Sequence, residues 1–263
     1  MDSVLLIHAH PDDESFANSG RVAQLTAEGF KVVAIVATAG EAGELAETRD
    51  LERARRRRLE KYERALDILG VSSWEWLEPG AEWTDAPGRP LVSRADPLRL
   101  QGAVRRRLEE HDPWAVFTVG ADGLTGHPDH VAIGYAVRVA ARGSIIRGGV
   151  WGARLAAPDV RAGLRLVSED AGNREVGSGR VIGTGTSLTA FDVADVETKR
   201  RLALDAYMGG LGTGDLGGLI GTADRIGDSL LLRAVYDAQG WATERYERID
   251  AALRRIAVCA PVG

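Results

Sequence analysis

The chain has 263 residues, 44% of them hydrophobic and 27% charged, with a formal net charge of -5. That is globular material long enough to bury a sizeable core in one large domain, and its acidic balance excludes a nucleic-acid phosphate backbone as an expected partner. The lone cysteine, Cys259, rules out an internal disulfide and a cysteine framework for a metal. No run of 18 apolar residues and no secretory-type leader is visible, so a soluble cytoplasmic protein with no membrane partner is expected.

Val4 to Ile7 is a continuous apolar run ending in polar residues, as a buried parallel strand does. Glu14 to Glu28 follows with Phe16, Gly20, Ala23 and Ala27 at helical spacing. Val32 to Val36 reads as a second strand. Leu51 to Leu69 reads as a charged amphipathic helix closed by Gly70. Trp74 to Leu77 is the third predicted strand, Pro97 to Glu110 a helix, Ala115 to Val119 the fourth strand, and Asp129 to Ala141 the helix after it. This alternation predicts an α/β fold: a Rossmann-like, mostly parallel sheet with helices on both faces.

Beyond Val150 the pattern loosens. Strand-like pieces at Val150 to Leu155, Leu164 to Ser168 and Ser187 to Phe191 precede a helix over Val196 to Tyr207. Gly209 to Gly221 then carries seven glycines, which fits either a flexible surface loop or a mobile lid. The expected organisation is one domain over 1–263, with a core at 1–150 and an irregular C-terminal elaboration at 151–263 covering the site.

Four of the five histidines fall in two short segments, His8 to Glu14 after the first strand and Gly126 to His130 after the fourth. Ligands in open α/β sheets bind beyond the carboxyl ends of the strands, so both segments should meet at one edge. Either alone reads equally well as a turn with helix-capping acids. Together, imidazole and carboxylate suit zinc, which in catalytic sites keeps three protein ligands and one open position.

The paired motifs AHPDDE (Ala9 to Glu14) and GHPDH (Gly126 to His130) resemble those of the LmbE-like (PIG-L) family of zinc-dependent N-deacetylases. The resemblance covers Val4 to Val137 and implies one zinc ion held by His10, Asp13 and His130. It implies Asp12 as general base, His127 as oxyanion partner and acid for the leaving amine, and Asp129 as the residue that orients His127 and keeps it protonated. The implied substrate is a small N-acyl amino sugar or glycoconjugate. This division matches what amide hydrolysis needs: a nucleophile at neutral pH, a base beside it, and a group that protonates the leaving nitrogen.

Two further positions carry expectations. Arg58 sits near the centre of the apolar stripe formed by Leu51, Arg55, Leu59, Tyr62, Ala65, Leu66 and Leu69, and the family places a substrate-binding Arg there. Lys61 stands where that pattern has Glu. Trp83-Thr84-Asp85 resembles the family's aromatic-x-Asp loop, with Asp85 on a sugar hydroxyl, although the segment is also an ordinary turn. Tyr207 and Thr125 depart from the His and Tyr of relatives. A metal-dependent phosphoesterase and a non-catalytic binding relative are the competing readings. A dinucleotide enzyme is not, because His-Pro-Asp-Asp-Glu replaces the glycine-rich phosphate cradle after the first strand.

Overall fold

The computed structural model describes residues 2–79, 83–86, 88, 89, 91–171 and 179–250; Cys259 lies outside them. In chain order the first half runs β1 (Ser3–His8), α1 (Asp13–Ala17), α2 (Ser19–Ala27), β2 (Lys31–Val36), α3 (Ala42–Thr48), α4 (Leu51–Leu69) and β3 (Ser73–Trp76). A 3₁₀ turn at Val92–Arg94 leads into α5 (Pro97–His111), β4 (Ala115–Val119), α6 (Gly123–Gly126) and α7 (Pro128–Ala140). The remainder is β5 (Gly149–Ala153), β6 (Leu155–Ala156), α8 (Ala157–Ala171), β7 (Gly183–Thr184), β8 (Thr189–Asp192), α9 (Glu197–Tyr207), α10 (Leu216–Thr222), α11 (Asp228–Ala238) and β9 (Thr243–Arg248), with a second 3₁₀ turn at Ala194–Val196.

Seven strands form one sheet in the order β3-β2-β1-β4-β5-β9-β8. The first five are parallel, and β9 and β8 add antiparallel on one edge. Because β1 and β2 pair one way and β4 and β5 the other, the winding reverses between β1 and β4. Side chains alternate between faces with period two. Leu5, Ile7, Val33, Ile35 and Val116 therefore pack with Leu100, Val104, Ile133 and Val137 of α5 and α7. Val4, Leu6, Val32, Ala34 and Phe117 pack with Leu66 and Leu69 of α4 and with Leu204, Val235 and Trp241 from the C-terminal part.

The C-terminal part differs from expectation. The strand-like Leu164 to Ser168 belongs to α8, whose buried Val160, Gly163, Val167 and Ala171 recur at helical spacing and face α11. About half of the Gly209–Gly221 stretch is helical: Asp215 caps α10 by accepting from the Gly218 amide at 2.7 Å, and Ile220 is fully buried. Glu14 to Glu28 is two helices, split at the buried Asn18. β9 does not read as a strand because an acid, Glu244, occupies an inward position. That carboxylate accepts the Gly20 and Arg21 amides at 2.6 and 2.9 Å, capping α2 where its own N-cap residue does not.

Gly163 sets the approach of α8 to α11. A Cβ there would stand 2.6 Å from the Val235 amide nitrogen. Gly163→Ala is expected to destabilise the protein by about 1–3 kcal/mol through overpacking, more than the ~1 kcal/mol that alanine gains in helix propensity. Urea denaturation checks it: an unchanged or higher midpoint would contradict the packing argument.

Candidate active site

The carboxyl ends of β1 and β4 carry the two histidine segments to one place. After β1 the chain turns through Asp12, whose φ of 113° is in the left-handed region that L side chains rarely adopt. This turn lets Asp13 open α1 and fold its carboxylate back, so that Oδ2 accepts the amides of Ala9 and His10, both at 3.0 Å. The other oxygen, Oδ1, lies 3.0 Å from His130 Nε2. After β4, Pro128 at the first position of α7 starts the helix that presents His130. His130 Nδ1 donates to the Gly123 carbonyl at 3.1 Å, which turns Nε2 toward the site. His10 Nδ1 meets that same Nε2 at 3.0 Å.

The electrostatics follow from this crowding. Burial alone would raise Asp13, but His130 and His10 outweigh it and hold the carboxyl far below its usual range. The reciprocal effect lifts His130 to about 9, Asp13 overcoming the desolvation that opposes it. Asp12 moves the other way: burial pushes its carboxyl up in spite of the Arg58 guanidinium. Two adjacent carboxylates are thus driven in opposite directions by their surroundings, the arrangement by which sites separate an acid–base group from a fixed charge.

His127 rings the same space, its centroid 4.9 Å from that of His10 and 4.8 Å from that of His130. Ring nitrogens of His10, His127 and His130 all lie within 4.8 Å of one another. Asp129, expected to orient His127 and keep it charged, favours the charged imidazole through its carboxylate, but the hydrogen bonds of that carboxylate go elsewhere. The Asp129 carboxylate faces His10 Nε2 at 3.2 Å and accepts the Ser93 amide at 2.7 Å, contacts that hold it down to about 2 against burial. Only its backbone amide reaches His127 Nδ1, at 3.3 Å. Burial and the neighbouring His10 and His130 push His127 below the ordinary imidazole value.

Arg58 is nearly buried, at 12% side-chain exposure, as its place on the stripe of α4 implies. Its guanidinium is turned onto Pro11 and Asp12. Asp85 lines the same cavity of about 840 Å³ and accepts the Ala42 amide at 3.1 Å. Beside it Glu41 is raised to about 7 by burial and by its hydrogen bond with Asp85. Lys61 meets Glu44 at 2.6 Å. The cavity is also lined by Thr125, Met208, Leu219 and Leu230. Another histidine–carboxylate group among the described residues, Glu75, Glu110 and His111, has Arg107 bonded to both acids.

The motifs carry no role for Ser93 or Gly123, and Glu14 reads in them only as a helix-capping acid. Glu14 was visible inside the motif; the other two act through backbone atoms, which leave no mark in a residue pattern. Tyr207 donates to Glu14 at 2.8 Å, a contact between residues remote in sequence.

What the fold and this cluster define is a class: an open, mostly parallel α/β sheet with a histidine–carboxylate centre at its switch point, built from donors that suit a divalent metal. Within that class the chain belongs to the PIG-L family, described as GlcNAc-PI de-N-acetylase, which matches residues 5–141. It is 35% identical over 142 residues to the 1D-myo-inositol 2-acetamido-2-deoxy-alpha-D-glucopyranoside deacetylase of Mycobacteroides abscessus, covering 49% of this chain and 51% of that protein. The chain therefore spans about half the length of the curated relatives it matches. Among solved structures, the zinc-inhibited form of a teicoplanin deacetylase aligns at a TM-score of 0.59 and 18% identity over 95% of this chain and 99% of that one. The 4-carboxy-2-hydroxymuconate hydratase of Pseudomonas putida aligns at 0.54 and 18% identity over 100% and 92%. At these identities the two likenesses show a shared fold.

Glu14 generates a test of the site's electrostatics. It is fully buried and raised from 4.5 to about 7, by burial foremost, with Asp12 adding to the shift against hydrogen bonds from Ser15 and Tyr207. An acid whose folded pKa is raised contributes stability that is fully present below its unfolded value and lost as pH rises through its folded value. In metal-stripped protein, the stability of wild type relative to Glu14→Gln should therefore fall between about pH 4.5 and 7. Denaturation midpoints of the two proteins across that window measure it; parallel pH profiles would refute the assignment.

Proposed function

We propose that this chain is a zinc-dependent hydrolase that removes an N-acyl group, acetyl foremost, from an amino sugar or a sugar-containing metabolite. The observation that carries the reading is the meeting of His10, Asp13 and His130 with two further titratable groups, Asp12 and His127, in one cavity of a PIG-L family chain. The deacetylases among its relatives support the amide as the bond attacked.

The donor set fits a metal. Asp13 is held ionised, so it offers an anionic oxygen 3.0 Å from His130 Nε2, which lies 3.0 Å from His10 Nδ1. His10, Asp13 and His130 would hold the ion. When bound, zinc polarises a carbonyl and makes water a competent nucleophile near neutral pH. Asp12, whose carboxyl burial raises against the Arg58 guanidinium, would take the proton that the attacking water must lose. Among the described residues no carboxylate hydrogen-bonds the His127 ring, which lines the cavity and would serve the developing oxyanion and the leaving nitrogen. Asp129 fixes His10 from behind, the second partner that orients a ligating imidazole. Asp85 is the residue for a sugar hydroxyl. The C-terminal part supplies Met208, Leu219 and Leu230 to the cavity wall, consistent with a single domain whose later half covers the site.

The decisive experiment is amine release from a panel of N-acetylglucosamine conjugates by the zinc-loaded protein, with metal content measured alongside. Asp12→Asn should keep near-stoichiometric metal and lower kcat by about 10²–10⁴-fold. Asp13→Ala should lose the metal, and His127→Ala should retain it while losing activity. No amine release across the panel would end the reading. An empty site in His127→Ala would make His127 a ligand.

A further inference from the structure

We propose that the cavity wall built by the C-terminal part is a subsite for an apolar aglycone. The substrate is then an amino sugar joined at its anomeric carbon to an alkyl or aryl group, not to a second polyol. The inference rests on the reading of the cavity as a site for an N-acyl amino sugar.

The cavity divides by origin and by character. The groups that can hold a metal, move protons or meet sugar hydroxyls are His10, Asp12, Asp13, Asp85, His127 and His130, none later than residue 130. Facing them, Met208 at the end of α9, Leu219 of α10 and Leu230 of α11 bring hydrocarbon to the same space, with Phe16 and Leu124 beside them. Met208 is 50% exposed although it directly follows the buried Tyr207. In α10, Ile220 is fully buried, and its neighbour Leu219 is left half-buried on the cavity.

The polar residues of the C-terminal wall lie farther out. Thr222, Asp224 and Arg225 are exposed and Ser229 is half-buried. One Asp228 oxygen is already taken by the Arg180 amide, at 2.5 Å. An apolar floor with a polar rim is the usual build of a surface that covers hydrocarbon on binding.

Size and chemistry choose the occupant. The cavity of about 840 Å³ is near the top of the range of roughly 300–1,000 Å³ that accommodates drug-sized ligands, which leaves space beyond a single sugar ring. Apolar side chains left accessible in a concave site mark a place where a ligand removes them from water, and methionine adapts to varied shapes there. An alkyl or aryl group gains by leaving water on this wall. A polyol would be desolvated there with few partners for its hydroxyls, which counts against it.

The mycobacterial relative is a deacetylase of an inositol glycoside, but the match to the family ends at residue 141. Met208, Leu219 and Leu230 lie beyond that match, so the shared half carries the amide and the sugar and leaves the aglycone to the later half. The acyl carbonyl has to meet the histidine–carboxylate cluster, where the lining is charged. The aglycone is therefore the part assigned to the apolar wall.

The test starts with the amine products, whose binding needs no turnover. Calorimetric titration of the zinc-loaded protein with hexyl and methyl glucosaminide should give a hexyl Kd at least about tenfold lower, well under the gain of about fourfold for each fully buried methylene. The hexyl compound should also bind with the more negative heat-capacity change. Met208→Ser combined with Leu219→Ser should bring the ratio of the two Kd values below about threefold, and Met208→Leu, which keeps the hydrocarbon, should preserve it. Equal affinities in wild type, or a ratio unmoved in the double variant, would overturn the proposal. On the N-acetylated glycosides, kcat/KM should be higher for hexyl than for methyl or inositol. If the double variant instead alters the preference between N-acetyl and N-hexanoyl groups on the methyl glycoside and leaves the aglycone ratio alone, the wall serves the acyl group and the proposal is overturned. If wild type keeps the binding ratio but hydrolyses no N-acetyl glycoside, the functional reading fails and the apolar subsite stands. Binding of neither product ends both.

Discussion

Val4, Leu5 and Leu6 lie in parallel register with Ala115, Val116 and Phe117, and this short ladder brings the candidate site together. It is the point at which the sheet reverses its winding. Loops leaving the carboxyl ends of β1 and β4 therefore diverge to opposite faces and leave a crevice between them. His10, Asp12 and Asp13 come from the turn between β1 and α1 and the first residue of α1, and His127, Asp129 and His130 from the start of α7. A slip of this ladder would move the two histidine segments past each other and turn every side chain of one strand to the wrong face. The cores on both faces, with Leu6 and Phe117 on one and Leu5 and Val116 on the other, hold the register.

The crevice gathers charge where burial penalises it. Asp13, Glu14, Asp129 and His10 are all buried, and each has a named partner. Buried ionisable groups are tolerated when they are paired and hydrogen-bonded. Here the pairing is uneven. Asp13 is surrounded by imidazoles and backbone amides and stays ionised, while Asp12 has one cation and a desolvated setting that lifts it. The difference between neighbours in sequence comes from which way the turn at Asp12 points each carboxylate. The same turn presents the Pro11 carbonyl and the Asp12 carboxylate to the Arg58 guanidinium.

The fold does not choose the reaction. A hydratase and a deacetylase share it with this chain at equal identity, and function belongs to the site grafted on the scaffold. What distinguishes readings is the identity and placement of a handful of side chains at the switch point. The C-terminal half supplies Met208, Leu219 and Leu230 to the same cavity.

The sequence by itself determined the parallel core and the residues that could carry chemistry. Continuous apolar runs such as Val32 to Val36 and capped helices such as Leu51 to Leu69 are local signals, and they survive in the structure with small boundary shifts. Both histidine motifs were legible because four of the chain's five histidines fall in them. The later half was not, since short elements rich in glycine and charge take their form from what they pack against. Residues 164–168 lie in α8, whose Gly163 packs closely on the backbone of α11, and Thr243–Arg248 is a strand whose buried Glu244 accepts the Gly20 and Arg21 amides. Only the tertiary structure decided that Asp129 serves His10 and that Arg58 turns to Asp12. Those partners are remote in sequence, and a side chain's direction is set by the packed neighbours around it, which no spacing along the chain records.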